Sequence, residues 1–140
     1  MQYFKAFDGA FHVLEDGVDA TSLANFPVDA VLSTEEEYQN WQRQLYLERL
    51  PQILEGMKEV VRTARESILN RLSGIAFTAQ LSGDTATTQA FIAVRQGLLD
   101  ITKNLPDNPE LFTTEVTNRY RALVALCTSS MVKAFAEIDL

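Results

Sequence analysis

Residues 33–79, STEEEYQNWQRQLYLERLPQILEGMKEVVRTARESILNRLSGIAFTA, decide the fold. Ser33-Thr34-Glu35-Glu36 fits the S-x-x-E capping box, in which the Ser33 hydroxyl takes the amide of Glu36 and the Glu36 carboxylate reaches back. A helix is expected from Thr34, with the acids at 35, 36 and 37 at the positive end of its dipole. Tyr38, Trp41 and Leu45 open an apolar stripe, and Leu54, Met57, Val61, Ala64, Ile68, Leu72, Ile75 and Ala79 continue it at steps of three and four. That is close to a heptad seam with one four-residue insertion at Ile68 to Leu72. Pro51 removes a backbone donor and crowds the preceding turn, so a kink or break is expected near Leu50, in a segment that Gly56 weakens further. If helical throughout, the stretch would extend roughly 69 Å, beyond the width of a compact domain of this mass. Its seam needs cover. Association of two or more copies would take Leu54, Met57, Val61, Ile68, Leu72 and Ile75 out of water, so a homo-oligomer is expected.

Downstream, Gly83 can end one helix and Asp84 can cap the next. The second helix is expected over Thr85 to Lys103, with Ala90, Phe91, Val94, Leu98, Ile101 and Leu105 on one stripe, and the short connection implies antiparallel pairing with the helix before it. Pro106-Asp107-Asn108-Pro109 is a breaker in which Asn108 caps and Pro109 takes the first helical position, where its missing amide is harmless. A third helix to about Leu126 would bury Phe112, Val116, Tyr120, Leu123 and Cys127. Thr128-Ser129-Ser130 then recaps a short final helix containing Met131, Phe135 and Ile138.

Upstream, Asp8-Gly9 is a favoured pair for a two-residue type I′ turn between Gln2–Phe7 and Ala10–Glu15. That turn sets Lys5 opposite His12 and Tyr3 opposite Leu14 on one face, and Ala6 with Phe11 and Phe4 with Val13 on the other. A two-stranded ribbon is marginal alone, so the face of Phe4, Phe11 and Val13 needs a third strand, a helix or another chain over it. Glu15 to Leu32 reads as a connector with room for one short strand. The fold class expected is α+β, predominantly α: a small N-terminal β-hairpin, a long helix and a helical hairpin or bundle, divided as 1–32, 33–105 and 106–140.

The chain has 140 residues, 46% hydrophobic and 22% charged, with 12 Lys plus Arg against 19 Asp plus Glu and a net charge of −7. That balance opposes contact with a polyphosphate or an anionic bilayer, so neither nucleic acid nor membrane is an expected partner. The charge is unevenly placed, since residues 1–37 hold one Lys and eight acids while the remainder balances. A lone cysteine, Cys127, forms no internal disulfide, and a reducing cytoplasm is the default. No apolar run approaches a bilayer span and Met1 to Lys5 lacks the start of a secretion signal, so a soluble protein is expected. His12 and Cys127 are the only His and Cys, with no nucleophile motif around either, and they cannot supply a closed structural zinc site. Gly74, Gly83 and Gly97 are isolated and make no phosphate cradle. No catalytic residue, cofactor or metal is expected, and the chain is not expected to be an enzyme. Tyr38, Trp41 and Tyr46 on the first turns of the long helix can pack under the hairpin or anchor a partner. The candidate partner-binding residues are therefore Phe4, Phe11, Val13, Tyr38, Trp41 and Leu45.

The order of Tyr3-Phe4-Lys5 with Asp8-Gly9, the acidic helix start Ser33-Thr34-Glu35-Glu36, and the helical pair around Ala79-Gln80-Leu81-Ser82-Gly83-Asp84 resembles the tail-fibre assembly proteins of tailed bacteriophages and phage-derived tail particles. Val94-Arg95-Gln96-Gly97-Leu98-Leu99-Asp100-Ile101-Thr102 is similar to that family's Tyr-Arg-Gln-x-Leu-Arg-Asp-Ile run. Val94 replaces the usual aromatic, Leu99 the usual Arg, and the Trp that commonly precedes the run is absent from Asp84 to Gln89. Residues Thr113 to Leu140 have no counterpart. The resemblance implies a small accessory protein of the bacterial host cytoplasm. It would bind the distal part of a tail fibre or receptor-binding protein and help its trimer fold without ATP or cofactor. Some relatives stay attached in the virion tail. The alternative is a permanent structural subunit of a phage tail or baseplate.

Overall fold

The computed structural model describes residues 1–140. The fold is α+β and predominantly α, with a three-stranded antiparallel sheet at the N-terminal end followed by four helices. Two compact units are present, Met1–Pro51 and Gln52–Leu140. Helix α1, Glu35–Ser82, contributes residues to both. The units therefore divide inside an element, whereas the expected division at 1–32, 33–105 and 106–140 followed element ends.

In the first unit, β1 (Gln2–Lys5) and β2 (Phe11–Leu14) pair with Tyr3 opposite Val13, Phe4 opposite His12 and Lys5 opposite Phe11. This register is one residue away from the type I′ expectation, and the turn explains it. The Gly9 amide donates to the Ala6 carbonyl at 3.0 Å, the Ala6 amide donates to the Ala10 carbonyl at 2.9 Å, and Gly9 alone in the turn takes a positive φ, +87°. A type I′ turn would need positive φ at Asp8 as well. A three-residue loop closed by a left-handed glycine needs it only at Gly9. The Asp8 carboxylate secures that form by accepting the Ala10 amide at 2.9 Å. A one-residue slip exchanges faces, so Phe4 lies with His12 on one side while Phe11 and Val13 lie with Tyr3 and Lys5 on the other.

The connector supplies the third strand. β3 (Val31–Ser33) adds to the free side of β1, with Ser33 opposite Tyr3 and Val31 opposite Lys5, giving the order β2-β1-β3. Because Ser33 belongs to this strand, the helix cap moves one residue along. Thr34 Oγ1 accepts the Glu37 amide at 3.2 Å, and Ser33 Oγ donates to the Glu37 carboxylate. Thr34 caps the Glu37 amide and the Glu37 carboxylate reaches back to the Ser33 hydroxyl, in place of the expected Ser33 with Glu36 box.

Pro51 neither ends α1 nor starts a new helix; the element runs unbroken from Glu35 to Ser82. A proline inside a helix leaves the carbonyl four residues back, here Leu47, without its amide donor. The Pro51 ring is exposed, so that carbonyl can turn to water. The helix ends as expected. Gly83 takes φ +76° and the Asp84 amide reaches back to the Ala79 carbonyl at 2.8 Å, the six-to-one bond of a Schellman cap.

In the second unit, α2 (Thr85–Leu99) starts at Asp84, whose carboxylate accepts the Thr87 amide, and α3 (Pro109–Leu126) starts at Asn108, whose side chain accepts the amides of Glu110 and Leu111. α4 (Ser129–Val132) continues into a 3-10 turn over Lys133–Phe135. The core combines Leu54, Val61, Ile68, Leu72 and Ala79 of α1 with Val94 and Leu98 of α2, Phe112, Val116, Tyr120 and Leu123 of α3, and Met131 and Phe135. The expected seam is thus covered inside one chain. Leu72 is fully buried, Ile68 nearly so, and Met57 and Ile75 are half-buried at its margins. An uncovered stripe was the premise for assigning Leu54, Met57, Val61, Ile68, Leu72 and Ile75 to self-association. α2, α3 and the C-terminal residues remove that premise by supplying the cover.

Arg119 fastens the α2–α3 connection. Its guanidinium donates to the carbonyls of Ile101, Lys103 and Asn104 and pairs with Glu115. It thereby gives partners to three carbonyls of the segment that follows α2, including that of Asn104, whose φ is +53°.

Candidate functional site

The aromatic residues of the first unit form two layers. On one face of the sheet, Tyr3 meets Tyr38 at a ring separation of 5.0 Å, Phe11 meets Tyr38 at 5.9 Å and Trp41 at 5.3 Å, and Tyr38 lies 6.0 Å from Trp41. The spacing of Tyr38 and Trp41 by three puts both rings on the helix face that meets the sheet. On the opposite face, Phe26 of the connector covers Phe4 edge-on at 5.1 Å and stands 5.7 Å from His12. Pro27 follows it, and the extended backbone imposed before a proline suits that placement.

Of the sequence-derived candidates, the structure therefore brings Phe11, Tyr38 and Trp41 together, with Val13 on the same sheet face. It sends Phe4 to the other side. Phe4, Phe11, Val13, Tyr38, Trp41 and Leu45 are all half-buried. The expectation of one apolar face made from Phe4, Phe11 and Val13 fails with the hairpin register, and each face is partly covered from within the chain, one by Tyr38 and Trp41 of α1 and the other by Phe26.

What stays uncovered is a different set. Phe7 at the hairpin tip is 94% exposed, Val28 fully so, and the β3 residues Val31 and Leu32 are 68% and 66% exposed. These residues lie close together along the chain or across the β1–β3 ladder, and the Phe7 amide donates to the Asp29 carboxylate at 2.8 Å. A shallow cavity of about 270 Å³ opens among Phe7, Asp29, Val31, Leu32, Ser33 and Glu37. Sequence reading passed over this corner because Glu15 to Leu32 carries no periodicity. The available signal was Val31-Leu32, two strand-forming residues just before a helix cap.

The other titratable groups have local tasks. Arg62 pairs with Glu55 at 2.8 Å and with Glu59, which holds the Glu55 carboxyl below its usual range. These are exposed neighbours along one helix. The Cys127 thiol donates to the Leu123 carbonyl at 3.3 Å, and burial raises its pKa, which disfavours the thiolate a nucleophile needs. Burial likewise raises the pKa of the Tyr120 phenol, with Arg65 pulling the other way, and its hydroxyl has no hydrogen-bond partner. No group of three or more His, Cys, Asp or Glu is placed to hold a metal. No helix is long and apolar enough to cross a membrane.

In the second unit an apolar groove of about 310 Å³ lies between α1 and α3, lined by Met57, Val60, Phe112, Val116, Tyr120 and Ile138. The run Val94–Thr102 that carries the family resemblance contributes Val94, Leu98 and Ile101 to the interior, each fully buried. Those positions serve packing. Comparison of the chain with protein-family models, with curated proteins and with solved structures finds no match.

Proposed function

We propose that the protein is a non-enzymatic assembly chaperone that binds a phage or phage-like tail fibre or receptor-binding protein and promotes its trimer folding or attachment, acting in the bacterial host cytoplasm without a cofactor. The observation that carries this reading is the corner of Phe7, Val28, Val31 and Leu32, large apolar side chains left in water beside an acidic helix start. Exposed apolar residues grouped in this way suit a protein-protein contact. The residue order that resembles tail-fibre assembly proteins supplies the class of client. Co-expression with the neighbouring fibre gene tests the proposal: fibre trimer yield should fall when this protein is removed, and an unchanged yield would end it.

A permanent structural subunit of a tail or baseplate is the second reading. It is favoured by exposed Val60, Phe77 and Leu81 on α1, which a standing assembly would cover. Purified particles separate the two, because a subunit is present at fixed stoichiometry and a transient chaperone is not.

A further inference from the structure

We propose that the free edge of β3 accepts an extended, basic segment of a partner protein as a fourth strand of the sheet; this rests on the protein-binding reading above and specifies where and by what chemistry the partner is held. The ladder geometry identifies the free groups. Just past β1 the Ala6 amide points toward the β2 side, bonding Ala10 ahead of that strand, while the Phe7 amide points toward the β3 side, bonding the Asp29 carboxylate ahead of that one. Backbone direction alternates along a strand, so Tyr3 and Lys5 also face β3 and bond with Ser33 and Val31, their partners in register. Leu32, between them, turns its amide and carbonyl outward. An added strand pairs with those groups.

Side chains single out this edge over the other. β2 is the opposite edge of the sheet, and all four of its residues are half-buried. At β3, Val31 and Leu32 are both exposed, one on each face, with Val28 and Phe7 exposed beside them. An incoming strand would therefore find apolar contact on both sides.

Charge decides the occupant. Residues 1–37 hold eight acids and one Lys, and Asp29, Glu35, Glu36 and Glu37 flank β3 in sequence. The ammonium of that Lys, Lys5, sits over the Phe11 ring at 5.9 Å. Glu37 lines the cavity with Val31 and Ser33. A segment alternating apolar and basic residues would set the apolar ones against Leu32 and the basic ones toward Asp29 and Glu37, whereas an acidic segment would be repelled.

The test uses the whole isotope-labelled protein and two peptides, acetyl-Lys-Val-Lys-Val-Lys-Val-Lys-amide and its Glu counterpart, with amide hydrogen exchange read by NMR. The Lys peptide at saturation should slow exchange at Leu32 at least tenfold, and the Glu peptide should leave it unchanged. Leu32→Lys places a like charge on the edge and should weaken Lys-peptide binding at least tenfold, with the amides of Tyr3 and Lys5 still protected. Leu32→Pro removes the outward donor, and with it the amide whose exchange is read, at a place where edge strands tolerate proline; followed by peptide titration instead, it should weaken Lys-peptide binding at least tenfold. The proposal is overturned if the Lys peptide leaves Leu32 unprotected, if both peptides protect it equally, or if Leu32→Lys binds undiminished. Fibre trimer yield is a separate readout. A yield that falls when the protein is removed, with no protection at Leu32, sinks the edge and spares the chaperone, and protection at Leu32 with a yield unchanged by that removal does the reverse.

Discussion

Gly97 lacks a side chain where Leu123 needs the space. A Cβ at 97 would collide with the Leu123 side chain, which is itself buried, so α2 and α3 approach at this point as closely as a glycine permits. Gly97→Val should destabilise by about 1–3 kcal/mol through overpacking, seen as a lower denaturation midpoint. Gly74 has open space around it, and Gly74→Ala should stabilise by about 0.5–1 kcal/mol. In the sequence the two are alike, isolated glycines in helical runs, because a close approach depends on a residue of another element. Tyr120 offers a second contrast. Its hydroxyl is buried without a partner, a state that costs about 1–3 kcal/mol, so Tyr120→Phe should raise stability by about 1 kcal/mol in a denaturant titration. Asp84 makes stability depend on pH. Its hydrogen bonds from the Thr87 hydroxyl and amide lower its pKa. A lowered folded pKa means that stabilisation is complete above the unfolded value of about 3.9 and is lost as pH falls through the folded one. Asp84→Asn keeps a capping oxygen and should flatten that part of the acid limb when melting temperature is followed from about pH 5 to about pH 3.

At the scale of elements, local signals proved sufficient for some boundaries and insufficient for others. Asp84 and Asn108 cap where their sequences indicate, because a cap needs only the next three residues. The α3 stripe of Phe112, Val116, Tyr120 and Leu123 is buried as its spacing implies. The hairpin register was not legible from Asp8-Gly9, since that pair serves both a two-residue loop and a three-residue one and the Asp8 bond to Ala10 favours the longer. β3 is the one short strand for which the connector had room, but its place was not legible for a related reason: three residues carry no period, and the strand exists by virtue of β1. Pro51 shows that one breaker does not end a helix with long runs on both sides, as α1 passes through it intact while most of its neighbours stay exposed. Pro51→Ala restores the amide that can reach the Leu47 carbonyl and should stabilise the local helix by about 3 kcal/mol. Amide exchange over residues 48–55 should slow accordingly, by roughly a hundredfold, since each 1.4 kcal/mol is about tenfold.

Across the whole chain, charge and cover divide by unit. Residues 1–51 contain three cations and nine acids, a net −6, and residues 52–140 contain nine and ten, a net −1. The acidic imbalance was plain in the sequence. The fate of the α1 seam was not, because its cover comes from α2, α3 and the C-terminal turn, and periodicity shows that a stripe must be buried without showing by what. The same limit hid the candidate site: Phe7, Val28, Val31 and Leu32 stand out only after Tyr3, Phe4, Phe11, Phe26, Tyr38 and Trp41 have found one another. Leu72→Ala tests the assignment of the seam to the interior. It should cost about 2–5 kcal/mol, lowering the melting point of the protein while light scattering of the folded fraction shows an unchanged mass. A reduced mass with unchanged melting would place Leu72 between copies. One consequence concerns how the gene can be dissected. The units meet within a helix, so no loop offers a place to cut, yet a truncated product opening near Leu50 would carry Pro51 in its first turn, a position where that ring is favoured. The residue that burdens the intact helix from within would make a sound beginning for the remainder.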